Sequence, residues 1–365
     1  MSGPSHRSPQ ADRLTGRSLR VPRTPTSWLS WAALAAVVAA GSLVTAKNMD
    51  RQGQVEGRLL NVSYDPTREL YEEINRRFVA SYEQKTGQKL KIEQSHGGST
   101  TQARAVSDGL PADVVTLAMY TDIDSLRKRG LIAESWMKRL PRDSLPYTST
   151  IVFVVRHGNP LQIHDWPDLV RPGVAIVTPD PRTSGNGKLS LLAAWGSVIH
   201  AGRDEGQARS FVSQVCDHAA VLSKGSREAT VAFSEERIGD VQLTWENEAV
   251  REVAASGGDL EIAHPSISIR AEPFVAWVDA NVERRGTKAT AQAYLAFLYT
   301  KEAQEIIARN GYRPTDPEVL HEHARELPAM EVFPVTTVAK DWNDAQQKFF
   351  SENGLFDVLC KGPGR

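Results

Sequence analysis

From residue 59 onward, short runs of apolar and β-branched residues alternate with amphipathic segments. Residues 59–64 predict a strand, and apolar positions from Leu70 to Phe78 then recur at the spacing of one buried helix face. Asp65 and Pro66 are typical of the first positions of a helix, so we expect this helix to begin there. Two further strands follow with helices between them, which indicates parallel α/β architecture.

A second α/β unit follows the first. Its pattern includes an apolar helix expected to begin near Lys188 and a strand that ends at Trp245. The strand-like run 267–278 then leads into two more helices. A chain that leaves one α/β unit, builds another and returns predicts two lobes with a cleft, in which ligands bind at the carboxyl ends of strands. We assign residues 57–140 plus 248–320 to lobe 1, 141–247 to lobe 2, and 321–365 to C-terminal helices and a tail.

The N-terminal residues differ from the rest. Residues 1–27 are basic, with five arginines and one aspartate, and residues 28–46 form an apolar run. This charge order predicts that the N-terminal segment stays in the cytoplasm and that the remainder is exported to the periplasm or the outer face of the membrane. Small residues suit cleavage after Ala46, but the run is also long enough to span a bilayer. A cleaved signal peptide and a retained membrane anchor both remain open.

Charge argues against a nucleic-acid partner. The whole chain has a formal net charge of −1, and residues 47–365 alone carry about −5. Nucleic-acid binding calls for a basic face, so any anion bound here must be held by local dipoles.

The two cysteines do not form a disulfide framework. Cys216 lies in a segment with helical apolar spacing, which favours a buried, inert thiol. A disulfide with Cys360 remains open because an exported chain allows it.

Motifs for catalysis and metal binding are not satisfied. The GNGK segment resembles a phosphate loop, but Arg182 stands where the first glycine is needed and Leu189 replaces the final Ser or Thr. No G-x-S-x-G sequence presents a serine nucleophile. We therefore expect no enzyme, no cofactor and no metal. Glu246 and Glu248 show no partner in the pattern, and we expect them to cap or solvate the helix after Trp245.

Four loops offer hydrogen-bond donors. Each follows a strand-like run and precedes a helix, so each directs backbone N–H groups and a positive helix end toward one point. Any one of them alone is also typical of an ordinary N-cap and turn. Their recurrence in both lobes predicts an anion site in the cleft: Ser63–Pro66, His96–Ser99, Thr183–Asn186 and Lys224–Arg227.

Seven segments, spread from about residue 59 to 356, resemble the periplasmic sulfate-binding proteins of ABC importers. They are LLNVSYDPTREL, QSHGGS, LPYTSTIVFVVRHGNPLQIHDW, PGVAIVTPDPRTSG, LAAWG, GDVQLTWENEA and RAEPFVAWVD. The resemblance implies the two-lobed type II periplasmic binding protein fold, a monomer, and delivery of sulfate to membrane permease subunits. A membrane-anchored sulfate sensor using the same cleft is the alternative.

The resemblance also implies a ligand set made of donors only. Its members would be the Asp65 N–H, the Ser99 hydroxyl, the Ser184 hydroxyl and N–H, the N–H groups of Gly185, Asn186 and Ser226, and the Trp245 indole. Arg227 would order the site without touching the anion, and His96 would be a hydrogen-bonding scaffold.

The chain departs from the family pattern at two site positions. Asn186 stands where the pattern has Gly; Asn tolerates positive φ, so we expect its backbone donor to survive. Ser226 stands where the pattern has Ala and adds a hydroxyl. Some thiosulfate-binding relatives share the TSGN sequence, so sulfate and thiosulfate both remain possible ligands.

Overall fold

The computed structural model describes residues 57–360, which form two separate mixed sheets flanked by helices. The predicted N-terminal segments 1–27 and 28–46 lie outside the described residues, as do residues 361–365. The α/β class and the two-lobed architecture expected from the sequence are present.

The first sheet has four strands in the order β11-β3-β1-β2. Strands β1, β2 and β3 are parallel, and β11 is antiparallel to β3. Their bounds are β1 Gly57–Tyr64, β2 Leu90–Gly97, β3 Val114–Leu117 and β11 Phe274–Trp277. We call this sheet and its helices lobe 1.

The second sheet, the centre of lobe 2, has five strands in the order β7-β6-β8-β5-β9. Strand β6 is parallel to β7 and β8, whereas β5 is antiparallel to β8 and β9. The bounds are β5 Ile151–Arg156, β6 Ile176–Pro179, β7 Ala219–Ser223, β8 Val241–Trp245 and β9 Leu260–Ala263.

Two short pairs complete the strands: β4 Tyr147–Thr148 with β12 Arg313–Pro314, and β10 Ile267–Ile269 with β13 Glu331–Phe333. The helices are α1 Arg68–Thr86, α2 Ser99–Ser107, α3 Tyr120–Lys128, α4 Gly185–His200, α5 Glu205–Asp217, α6 Ser226–Thr230, α7 Glu246–Ala255, α8 Asp279–Arg285, α9 Lys288–Phe297, α10 Lys301–Arg309, α11 Pro317–Glu322, α12 Trp342–Phe350 and α13 Leu355–Leu359. Short 3-10 turns occupy Asp65–Thr67, Trp136–Arg139, Trp166–Val170 and Val335–Thr337, a π turn occupies Val231–Glu235, and Pro141–Ser144 forms a turn whose last three residues have positive φ.

Central strands bury both of their faces. In β5, Ile151 and Phe153 pack on one side of the sheet while Val152 and Val154 pack on the other. Such strands read as continuous apolar runs because helices cover both faces of the sheet.

Two element boundaries differ from the sequence-based expectation. The helix after β1 starts at Arg68, because Asp65–Thr67 first forms a 3-10 turn with Tyr64 as its N-cap. The long apolar helix starts at Gly185, three residues before Lys188.

Strand pairing bears on where the chain returns to lobe 1, which we assign from the sequence to residue 248. Strand β9 pairs with β5 in the second sheet, and α7 packs on the same two strands. We therefore propose that the crossing back lies between β9 and β11.

The expectation of a free, inert Cys216 is wrong. Cys216, near the end of α5, is disulfide-bonded to Cys360, directly after α13, with a Cα–Cα distance of 5.2 Å. Helical spacing could not reveal this pair because the cysteines are 144 residues apart and meet only when α13 packs on α5.

Within residues 57–360, the structure contains no helix that is both long and apolar enough to cross a membrane.

Candidate functional site

The four donor loops meet at one small cavity. Loops that follow β1 and β2 approach from lobe 1, and loops that follow β6, β7 and β8 approach from lobe 2. All seven residues expected to contact the ligand line this cavity. Its lining is Tyr64, Asp65, Pro66, Gly98, Ser99, Ala118, Ser184, Gly185, Asn186, Gly225, Ser226 and Trp245.

Lobe 1 contributes Asp65 and Ser99, each the first residue of a helical turn. The first N–H groups of a helix have no acceptor within it and remain available to a ligand. The Ser99 hydroxyl, in contrast, is engaged: Oγ donates to Asp122 Oδ2 at 2.5 Å and accepts from the Ala118 N–H at 3.0 Å. In this structure the Ser99 backbone N–H, and not the expected hydroxyl, is the uncommitted donor.

Lobe 2 contributes the start of α4. The Ser184 N–H donates to the Asp180 carbonyl at 3.0 Å, so only the hydroxyl of this residue is left to donate into the cavity. The N–H groups of Gly185 and Asn186 occupy the first two positions of the helix. Gly187 lets the helix start pack closely, because a Cβ there would lie 2.3 Å from the Pro179 carbonyl oxygen.

The expected reason for tolerating Asn186 is wrong. Asn186 lies inside α4 and is not among the residues with positive φ. Its backbone is ordinary right-handed helix, which any L-residue can adopt, so no special φ tolerance is needed.

Lobe 2 also contributes Ser226 and Trp245 to the cavity lining. Ser226 begins α6, and Trp245 ends β8 and caps α7. The Trp245 ring is 1% exposed and packs against the Tyr64 ring of lobe 1 at 5.4 Å between centroids. Within residues 57–360, nothing accepts a hydrogen bond from its indole N–H, which makes it available to a ligand.

Behind the Ser226 loop lies an ion-pair cluster that joins the lobes. Arg227 pairs with Glu69 of lobe 1 at 2.7 Å and with Glu248 at 3.1 Å, and Arg251 contacts both carboxylates. Burial raises the pKa of Glu248 to about 7, although the two arginines act in the opposite direction. Arg227 is absent from the cavity lining, and its role in ordering the site stays a prediction.

His96 lies beside the cavity without lining it. Its Nδ1 is 2.8 Å from Ser63 Oγ and its Nε2 is 2.5 Å from Gln94 Oε1. Burial lowers the pKa of His96 to about 4, with the positive charge of Arg68 acting the same way. A neutral imidazole bridging two strands fits the scaffold role expected from the sequence.

The expectation that the two acids after Trp245 are solvated is wrong. Glu246 is fully buried in a bidentate pair with Arg313, at 2.7 Å for both contacts, and Glu248 is 3% exposed. Neither is solvated. Arg313 and Arg227 come from distant segments, which no local pattern signals, whereas the i,i+3 spacing of Glu248 and Arg251 could have been noticed.

The family comparison agrees with the architecture. Residues 64–313 match the family described as bacterial extracellular solute-binding protein. The chain is 49% identical over 306 residues to the sulfate-binding protein of Escherichia coli strain K12, covering 83% of this chain and 93% of the relative. It is 46% identical over 303 residues to the thiosulfate-binding protein of Pseudomonas aeruginosa, with coverages of 82% and 91%.

Solved structures give the same result. The sulfate-binding protein SubI from Mycobacterium tuberculosis H37Rv superposes with a TM-score of 0.74 at 30% identity, covering 81% of this chain and all of that one. A periplasmic thiamin binding protein shares the fold alone, with a TM-score of 0.59 at 19% identity and coverages of 81% and 97%.

Proposed function

The chain belongs to the bacterial extracellular solute-binding proteins, within the group of sulfate- and thiosulfate-binding members, and from this we propose that it is the binding component of an ABC importer. It binds sulfate or thiosulfate in the cleft between its lobes and delivers the anion to permease subunits in the membrane. It performs no chemistry on the ligand.

One observation carries this proposal: four helical turns begin at one cavity whose lining contains no lysine or arginine. Backbone N–H groups and the positive ends of helix dipoles favour an anion at such a point. With hydrogen-bond donors in place of a contacting cation, the site can match the geometry of a tetrahedral anion as well as its charge.

The donor set also predicts which tetrahedral anions bind weakly. Sulfate carries no proton near neutral pH, whereas phosphate carries at least one, and that proton needs an acceptor. The carboxylate of Asp65 in the lining is ion-paired with Arg68, and the other groups assigned to the ligand are donors, so that proton stays unpaired. Sites built on such hydrogen-bond matching reject a mismatched analogue by about 10⁴- to 10⁵-fold.

Isothermal titration with sulfate, thiosulfate, molybdate and phosphate between pH 6 and 8 tests the proposal. We expect heat of binding with sulfate or thiosulfate and far weaker binding of phosphate across this range. Comparable affinities for sulfate and phosphate would contradict the all-donor site, and no binding of either sulfur anion would contradict the function.

We propose that residues 28–46 direct the export that this function requires, with residues 1–27 remaining cytoplasmic until cleavage. A reporter fused after residue 60 should be active only outside the cytoplasm. Determining the N-terminus of the exported protein distinguishes the two fates of the segment, because cleavage after Ala46 leaves Lys47 first and a retained anchor does not. We further propose that the exported protein is a monomer, which its elution volume checks.

A further inference from the structure

We propose that the Ser226 hydroxyl is an additional donor to the bound anion and that the Asn186 amide holds it in that role. The inference rests on the proposed function, since it concerns how the same cavity holds a sulfur oxyanion. It adds a side-chain donor to a site otherwise built on backbone N–H groups, the Ser184 hydroxyl and an indole.

Asn186 and Ser226 face each other across two helix starts. Asn186 Nδ2 donates to Ser226 Oγ at 3.2 Å, and Asn186 Oδ1 accepts from Ser190 Oγ at 3.1 Å. All three residues are buried, and both Asn186 and Ser226 line the cavity. The bridge thus links the start of α4 to the start of α6 at the cavity.

Counting hydrogens identifies the free donor. A serine hydroxyl has one hydrogen and can accept two hydrogen bonds. The Asn186 amide nitrogen can only donate, so the hydrogen of Ser226 is not used in this contact. Among residues 57–360, no other group makes a hydrogen bond with Ser226 Oγ. Its hydrogen is therefore free for a ligand in the cavity that Ser226 lines.

The anion favours this orientation of the amide over the reversed one. If the amide were turned over, Ser226 would donate to Asn186 Oδ1 and would present a lone pair to the cavity. Sulfate and thiosulfate offer only acceptors, so a lone pair there is repulsive and a hydrogen there is attractive. Ser190, which can donate to Oδ1, supports the productive orientation from behind.

Titration calorimetry of the purified exported protein with sulfate and thiosulfate tests the inference in four forms: wild type, Ser226→Ala, Asn186→Ala and the double variant. Both substitutions keep the backbone N–H groups. Ser226→Ala loses a hydrogen bond to a charged ligand, so this variant should bind the anion about tenfold or more weakly than the wild type. Asn186→Ala only frees the hydroxyl to rotate, an ordering cost equivalent to about threefold.

The coupling separates positioning from general damage. If Asn186 acts through Ser226, Asn186→Ala weakens binding in the wild-type background and has no further effect once Ser226 is alanine. Ser197→Ala, on α4 with its hydroxyl bonded to the Ala194 carbonyl, is the matched control and should bind as the wild type does. Thermal melting without ligand checks that every variant is folded.

Each failure has its own signature. A wild-type protein that binds neither anion contradicts the proposed function. A wild type that binds, with Ser226→Ala equally tight, overturns the additional donor while leaving the function intact. Equal losses from Asn186→Ala in both backgrounds overturn the positioning role of the amide.

Discussion

Trp245 offers the cavity one hydrogen and nothing else. Its indole N–H makes no hydrogen bond within the described part of the chain, and its ring is held by Tyr64 and by its place at the end of β8. An indole cannot accept a hydrogen bond, so it discriminates between an anion and a ligand that must donate at that point.

Trp245→Phe should therefore weaken sulfate binding without unfolding the protein. A hydrogen bond to a charged group contributes about 1.5 to 3 kcal/mol, so affinity should fall about tenfold or more. Trp195→Phe removes another buried indole N–H of lobe 2, outside the cavity, and should leave affinity unchanged. Titration calorimetry measures the sulfate affinity of each protein. Equal affinities of Trp245→Phe and wild type would show that this indole does not bind the ligand.

At the residue scale, the sequence predicted which residues line the cavity but not which of their atoms are free. The seven residues came from the family resemblance, because the local pattern alone placed the start of α4 near Lys188 instead of at Gly185. The engagement of the Ser99 hydroxyl by Asp122 and of the Ser184 N–H by Asp180 depends on contacts made in the folded chain. The Asn186–Ser226 bridge was equally invisible, because its partners are 40 residues apart.

Among the elements, helix α7 contains buried ionisable side chains, of which Glu252 is one. Glu252 is buried and accepts hydrogen bonds from Ser234 and Thr230. Burial raises the pKa of Glu252 to about 7, and the nearby charge of Glu248 adds to the shift. The folded protein thus holds a proton on Glu252 at pH values where the unfolded chain has already lost it.

The sign of the resulting pH dependence follows directly. Between about pH 4.5 and pH 7 the folded state binds more protons at Glu252 than the unfolded state, so this residue's contribution to stability falls as pH rises. Above pH 7 the loss of folding free energy caused by ionising Glu252 levels off at about 3 kcal/mol. Glu252→Gln cannot ionise, so its melting temperature should rise relative to wild type from pH 5 to pH 7.5.

Comparing the two melting curves at each pH cancels the groups that titrate alike in both proteins, such as His96. A difference in melting temperature that stays flat across this range would contradict a raised pKa for Glu252.

Helix α13 is fastened to lobe 2 by the disulfide. Its partner helix α12 packs on α3 of lobe 1, while α13 packs on α5 of lobe 2. The Cys216–Cys360 bond therefore fixes the end of a C-terminal segment that contacts both lobes.

Removing the bond should destabilise the protein. The crosslink closes a loop spanning 144 residues of sequence separation, and losing a native disulfide costs about 2 to 4 kcal/mol. We expect the Cys216→Ser, Cys360→Ser double variant to melt at a lower temperature, with faster amide exchange in α13. A reductant should lower the melting temperature of the wild type and leave the variant unaffected. Identical melting of both proteins would contradict a stabilising role for the bond.

At the element scale, the periodic pattern predicted the order of strands and helices but missed features set by distant partners. Strand β9 belongs to the second sheet because it pairs with β5. The sequence near residue 260 does not predict this pairing. The pattern predicts a solvated Glu246 because its partner, Arg313, is 67 residues away in sequence.

For the whole molecule, the cavity exists only because the two lobes touch. A Cβ on Gly98 of lobe 1 would lie 2.7 Å from the Thr183 carbonyl oxygen of lobe 2, so these loops are in direct contact. Donors from both lobes can reach one anion together only in such a closed arrangement. Ligand binding should therefore shift the population of the protein toward closure.

Glu69 is the lobe 1 partner in that closure. It accepts ion pairs from Arg227 and Arg251, both of lobe 2, and all three side chains are partly exposed. Exposed ion pairs contribute about 0.2 to 1 kcal/mol each, so losing both pairs in Glu69→Gln should weaken sulfate binding about two- to thirtyfold, although Glu69 does not line the cavity. The loss should shrink at high ionic strength, because salt screens exposed pairs.

Glu72→Gln, on the exposed side of the same helix and outside any ion pair of the described residues, is the matched control. Small-angle scattering should show the radius of gyration of the wild type falling when sulfate is added, and Glu69→Gln should need more sulfate to reach the same value. If Glu69→Gln and Glu72→Gln bind sulfate equally well at low salt, the ion pairs between the lobes do not stabilise the closed form, and closure rests on the anion and its donors alone.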